Sequence, residues 1–149
     1  MKAIHKKRMQ KLAEYLRTVP IHRFAMSKWA TETFCGKRNE PSHNACGSTA
    51  CALGWCSVAF KRSGFKLLRK GDLLGHKFDS SDYASFSWIP GDTIIPVYKD
   101  RSMFGAAEKF FGITNREATY LFGPDPERTP KEESKVLLQF LKQKEKEKV

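Results

Sequence analysis

Apolar residues recur at helical spacing near the start of the chain. Met9, Leu12 and Leu16 lie three or four residues apart, and Pro20 follows them. This period places the apolar side chains on one face of a helix, and a proline ends a helix because it lacks a backbone donor. The pattern predicts an amphipathic helix over residues 3–18, with a basic outer face.

A second apolar segment begins after a polar loop at 36–45. Residues 47–62 carry small or apolar side chains on nearly every face, which is typical of a helix that is buried all round. Trp55 is its largest candidate core residue, and Gly64 marks its end. The pattern therefore predicts a buried helix over 47–62.

The segment 65–100 has a less regular pattern. Two β-prone stretches, 86–89 and 93–98, flank a Pro-Gly-Asp turn signal, so we predict a small hairpin. Because proline cannot donate a hydrogen bond to a sheet, Pro96 predicts that the second strand lies at an edge.

Two short helices separated by a glycine are predicted next. The first runs from about 102 through Phe111, and Gly112 breaks it. Thr114 followed three residues later by Glu117 is a capping box, which predicts the start of the second. The pair fits a helix-turn-helix, which presents its second helix to the major groove of DNA, or a plain antiparallel helix pair.

The last helix begins at a Thr129-Pro130 signal with Glu132 in its first turn. The tail at 142–149 alternates lysine with glutamate, and we predict that it frays. Together these patterns predict one mainly α domain over residues 1–149, with four to five helices and a small β-hairpin in the middle.

The net positive charge of the chain favours a protein that acts by binding. The chain carries 27 Lys and Arg against 16 Asp and Glu, a net charge of +11. Such a balance favours partners that are nucleic acid or acidic proteins. Basic clusters in the first half supply the candidate contact residues: Lys6, Lys7, Arg8, Lys11, Lys37, Arg38, Lys61, Arg62, Lys66, Arg69 and Lys70. The apolar runs are far shorter than the roughly 20 residues that a bilayer span needs, so we predict no membrane segment.

Aromatic residues alternate with the later basic residues. Exposed rings among cations can stack single-stranded bases, whereas buried rings belong to the core. For Phe60 and Phe65 we favour the core.

The stretch “SHNACGSTACALGWC”, residues 42–56, is the candidate for chemistry. Cys46 lies at the start of the predicted helix, where the positive end of the helix dipole favours a thiolate. In this respect the stretch is similar to papain-like and bacteriocin-processing peptidases. His76 would be the base, and an acid such as Asp79 or Asp92 would orient it. A papain-like cysteine hydrolase is therefore the alternative function.

Zinc binding and simple packing are two further interpretations of the same stretch. Four residues have side chains that zinc accepts: Cys35, His43, Cys46 and Cys51. No CxxC pair is present, and cysteines five residues apart on a helix point in different directions, so we expect no cofactor. Small residues such as Gly47 instead favour close packing, in which a cysteine behaves as a small apolar residue.

Four stretches of the chain carry a resemblance to a known family. They are, in order, “FAMSKW”, “CGSTACALGW”, “AAEKFFGITNREATYLF” and “TPKEESKVLLQFL”. Together they resemble an uncharacterised family of small phage and prophage proteins with a Cys-Gly-Thr-x-x-Cys-x-x-Gly-Trp motif. Ser48 stands where that family has threonine, and the resemblance does not cover 65–100. It implies a cytoplasmic location in a bacterial host and no established activity.

These observations favour one function. We expect a small, basic, non-enzymatic accessory protein of phage type that binds nucleic acid or an acidic host or phage protein.

Overall fold

The computed structural model describes residues 1–26, 29, 49–73, 93–125 and 127–147. Within them, five α-helices accompany a three-stranded antiparallel sheet, which confirms the predicted mainly α fold with a small β element. The helices are α1 (Ala3–Leu16), α2 (Ala52–Ala59), α3 (Phe104–Phe111), α4 (Asn115–Phe122) and α5 (Pro130–Glu147). The strands are β1 (Lys66–Arg69), β2 (Ile94–Tyr98) and β3 (Arg101–Ser102).

The first helix has the apolar face that its sequence predicts. Met9, Leu12 and Leu16 are all buried, and the helix ends at Leu16, two residues earlier than predicted. This face packs on α5, where the Ser134 hydroxyl donates to the Ala13 carbonyl at 2.6 Å. The small side chain of Ala13 lets the two helices approach closely, and the buried hydroxyl is satisfied.

The second helix begins later than predicted. Its first residue is Ala52, and Cys51 precedes it in an extended conformation, so the prediction of a helix from residue 47 was wrong. The backbone of Ala50 instead pairs with the 23–25 segment, donating to the Arg23 carbonyl at 3.3 Å and accepting from the Ala25 amide at 3.1 Å. A bridge to a distant segment thus satisfies backbone groups that a helix would have used.

A close backbone approach explains a glycine inside α2. A Cβ atom added to Gly54 would lie 2.2 Å from the Trp29 carbonyl oxygen, which is far inside contact distance. Trp55, the next residue, is buried and donates its indole N–H to the Arg23 carbonyl at 3.1 Å. The backbone carbonyls of Arg23 and Trp29 therefore lie directly against this helix.

The sheet has the order β1-β2-β3, so β2 is its central strand. The strand predicted at 93–98 is confirmed, but it pairs with β1 and β3, and the stretch 86–89 lies outside the described residues.

The prediction that Pro96 places this strand at an edge was wrong. The Pro96 carbonyl accepts from the Met103 amide at 2.8 Å, just beyond the end of β3. The amide and carbonyl of a strand residue face the same neighbour. The side of Pro96 that lacks an N–H therefore faces the chain just beyond the end of β3. The pairing of β2 with β1, on the other side, is intact.

The helix pair around Gly112 forms as predicted. Gly112 adopts a left-handed conformation with φ 63°, and Thr114 caps α4. The Thr114 hydroxyl accepts from the Glu117 amide at 3.2 Å, and the Glu117 carboxylate accepts from the Thr114 amide at 3.0 Å. Both hydrogen bonds of the capping box are present.

The last helix extends further than predicted. It continues to Glu147, whereas the sequence predicts fraying from residue 142. Two ion pairs hold its end: Lys144 Nζ lies 2.6 Å from Glu117 Oε2 on α4, and Glu145 pairs with Lys6 on α1. Contacts with neighbouring helices thus oppose the fraying of a charged helix end. Among the described helices, none has the length and apolar content to cross a membrane.

Candidate nucleic-acid interface

Four buried rings form one aromatic cluster where α2, β1, β2 and α3 meet. Phe110 is at its centre, with its ring centroid 4.8 Å from that of Phe60, 5.2 Å from that of Phe65 and 4.9 Å from that of Tyr98. All four residues are at least 95% buried. The cluster belongs to the core, as expected for Phe60 and Phe65.

Three cations lie over the rings of this cluster. Arg8 places its guanidinium carbon 4.2 Å from the centroid of Phe110, and Lys11 places Nζ 5.1 Å from that of Phe60. Lys99, in the turn between β2 and β3, places Nζ 5.4 Å from the centroid of Tyr98. Cations attracted by ring faces in this way are held at defined positions.

Three further cations surround these three. Lys61 and Arg62 directly follow Phe60, and Lys7 lies one helical turn before Lys11. We call the six residues the basic face: Lys7, Arg8, Lys11, Lys61, Arg62 and Lys99. All except the half-buried Arg8 are exposed. None forms an ion pair with an acidic side chain of the described residues.

Arg8 differs from the others because its guanidinium is also fixed by a hydrogen bond. Its Nη1 donates to the Phe110 carbonyl at 2.9 Å, at the end of α3. The carbonyl groups in the last turn of a helix lack partners within the helix, so Arg8 satisfies one of them. It anchors the basic face to the core.

The remaining predicted contact residues do not belong to the basic face. Lys6 pairs with Glu145 on α5. Lys66 pairs with Val97, so its side chain lies on the opposite face of the sheet from Tyr98. Arg69 and Lys70 are half-buried at the far end of β1 from Lys66. Lys37 and Arg38 lie outside the described residues. The structure therefore gathers five of the predicted residues on one face.

The sequence analysis missed Lys99. It lies far along the chain from the other basic residues. It directly follows Tyr98 in the hairpin turn, where its φ is 55°, and its ammonium group lies over the Tyr98 ring. The two-residue turn between β2 and β3 is the signal that could have found it.

The described cysteines are not nucleophiles at neutral pH. Cys51 and Cys56 are free and fully buried. Burial raises the pKa of Cys51 to about 12 and that of Cys56 well above its usual value. Because the thiolate is the reactive form, both side chains serve packing.

The residues of the hydrolase and zinc interpretations lie mostly outside the described part of the chain. These are Cys46, His76, Asp79, Asp92, Cys35 and His43. Cys51 is the described member of the zinc set, and the described residues contain no group of three side chains that could hold a metal. Since α2 begins at Ala52, its positive end lies six residues after Cys46 in the sequence.

Contacts within the protein occupy part of the polar surface of α4. Asn115 donates to Glu108 Oε2 at 3.3 Å, and Glu117 pairs with Lys144. Arg116, Thr119 and Tyr120 are exposed. A helix pair packed on α5 accounts for these contacts, and reading of DNA by α4 stays a prediction.

A second cluster of charged groups lies in the core beside the two cysteines. Glu133 has no exposed surface; its Oε2 accepts from Arg128 Nη1 at 2.8 Å, and its Oε1 has no hydrogen-bond partner among the described residues. Burial raises the pKa of Glu133 to about 7, although the Arg128 hydrogen bond acts in the opposite direction. A buried carboxyl with one unsatisfied oxygen favours its neutral form.

The chain matches no protein-family model, no curated protein and no solved structure. The resemblance to small phage proteins therefore stays a prediction from the sequence.

Proposed function

We propose that this protein is a non-enzymatic accessory protein of phage type that binds nucleic acid through the basic face. The observation that carries the proposal is the convergence of six cations from α1, the α2–β1 connection and the β2–β3 turn. None of them is neutralised by an acidic side chain of the described residues. Such a surface attracts a polyanion and releases its counterions.

Other lysines of the same chain differ from the cations of the basic face because they form ion pairs. Lys6, Lys109 and Lys144 each pair with a glutamate or aspartate, as is common for surface lysines. The cations of the basic face are concentrated around one aromatic cluster instead. The net charge of +11 adds a favourable long-range attraction to the same partner.

Phosphate contacts predict a steep dependence on salt. If each of the six cations neutralises about one phosphate, log K falls against log salt concentration with a slope of about −5 on duplex DNA. Affinity measured by fluorescence anisotropy between about 50 and 200 mM salt tests this value.

A charge-matched pair of variants tests the location. The triple variant Lys7→Gln, Lys61→Gln and Arg62→Gln removes three exposed cations that contact no described ring or acid. The control triple removes three exposed lysines of α5 in the same way: Lys131→Gln, Lys135→Gln and Lys142→Gln. We expect the first to lose at least about tenfold in affinity and to flatten the salt slope by about 3, and the control to lose much less.

Two results would contradict the proposal. Equal losses in both triples would mean that net charge alone, and not the basic face, drives binding. Absence of binding to any nucleic acid at low salt would favour an acidic protein as the partner.

A further inference from the structure

We infer that the basic face takes double-stranded nucleic acid and holds it by its phosphates, without stacking on its bases. This inference rests on the proposed function and names its substrate class. It starts from the rings beneath the face, which are unavailable to a ligand. Phe65 and Phe110 are at least 99% buried, and Phe60 and Tyr98 at least 95%.

Single-strand binding depends on exposed rings. Proteins that hold single strands stack bases on aromatic side chains, which contributes about 1–3 kcal/mol for each base. Here Arg8, Lys11 and Lys99 cover the rings that such a site would use. A single strand would lose conformational freedom on this surface without the stacking that offsets the cost.

The types of cation on the face also favour phosphate over base edges. Four of the six are lysines, which act as point charges toward phosphate. Specific reading of guanine commonly uses an arginine that donates two parallel hydrogen bonds. Arg8 already donates to the Phe110 carbonyl and stacks on its ring, which leaves Arg62 as the one other arginine of the face.

Charge density gives the duplex its advantage. Double-stranded DNA presents one negative charge for about every 1.7 Å of its axis, at positions fixed by the helix. The basic face presents its cations on a helix and on tight turns, three of them over rings. A duplex, whose phosphates are already in place, loses less freedom on this face than a flexible single strand does.

The test compares one duplex with its own strands. A labelled duplex of about 20 base pairs, each of its separated strands and a duplex of scrambled sequence are titrated with the full-length protein at one low salt concentration. Duplexes of DNA and of RNA are included. We expect at least one kind of duplex to bind about tenfold more tightly than either of its strands, and scrambling to change affinity less than threefold.

The variant Tyr120→Ala supplies the control for stacking, since Tyr120 is the exposed aromatic residue of the described chain, at 64%. We expect it to leave single-strand affinity unchanged. Equal or tighter binding of single strands, a loss of single-strand affinity in the variant, or a tenfold sequence preference would overturn the inference and leave the proposed function standing. Absence of binding to every nucleic acid would overturn the proposed function itself.

Discussion

Burial at single positions determines which side chains can ionise in the core. Glu133 lies near Arg128 and Asp125, and near Cys51, just before α2, and Cys56, within α2. Its pKa of about 7 in the folded protein lies above the ordinary value of 4.5. The folded protein therefore binds a proton that the unfolded chain releases between these two values.

This difference predicts a pH dependence of stability. The contribution of Glu133 is fully present below pH 4.5 and is lost as the pH rises through about 7. The loss is about 3 kcal/mol in the free energy of unfolding. In Glu133→Gln, which cannot ionise, we expect this part of the decline between pH 5 and 8 to disappear. Urea denaturation at both pH values measures it, and the exposed Glu14→Gln is the control. An unchanged decline in Glu133→Gln would contradict the assignment.

Cysteine burial predicts slow alkylation. Because Cys51 and Cys56 have raised pKa values and no solvent contact, we expect neither to react with iodoacetamide at pH 7.5 until the protein is denatured. Mass spectrometry of the digested protein measures labelling at each cysteine. Labelling of either residue in the folded protein would contradict their assignment to the core. Rapid labelling of Cys46 in the same digest would support the hydrolase alternative.

At the scale of elements, local signals predicted some boundaries and missed others. The capping box at Thr114 and the signal at Thr129-Pro130 act through hydrogen bonds to residues three positions away, so the sequence alone reveals them. The start of α2 depends on pairing of Ala50 with a segment 25 residues earlier, and no local pattern encodes that pairing. The central position of Pro96 likewise depends on where β3 ends.

At Gly54, helix propensity and packing predict opposite effects of alanine on the free energy of unfolding. Alanine normally stabilises a helix by about 1 kcal/mol relative to glycine. A Cβ at this position would lie 2.2 Å from a backbone oxygen and 2.6 Å from the Ala50 Cβ. We therefore expect Gly54→Ala to lower the free energy of unfolding by about 2 kcal/mol or more.

Gly64→Ala is the matched control for this prediction. Gly64 has φ 86° and open space around its Cα, so alanine there incurs strain of about 1–2 kcal/mol without a clash. Urea denaturation compares the two variants. A Gly54→Ala variant as stable as the unsubstituted protein would show that α2 does not pack on the Trp29 carbonyl.

For the whole molecule, charge was easier to predict from the sequence than its arrangement. The balance of +11 and most of the contributing residues were evident from composition and spacing. Lys6 is paired because α5 packs against α1, whereas the cations of the basic face have no acidic partner among the described residues. A count of charges cannot predict which lysines are paired. Lys99 joins the face through the β2–β3 turn.

Concentrated like charge also predicts how salt affects the stability of the protein without a ligand. The cations of the basic face repel one another in the folded state, and salt screens this repulsion. Salt also weakens ion pairs such as Lys144–Glu117, so the two effects oppose each other in the unsubstituted protein. Comparison of the two glutamine triples separates them. Raising NaCl from about 20 to 200 mM should raise Tm more in the α5 triple, which keeps the basic face, than in the basic-face triple.

The difference in Tm between the two triples should be about 2–4 °C, the shift that about 1 kcal/mol produces in a chain of this size. Thermal unfolding followed by circular dichroism measures it, and equal responses in the two triples would mean that the cations of the face are too far apart to act together on one polyanion.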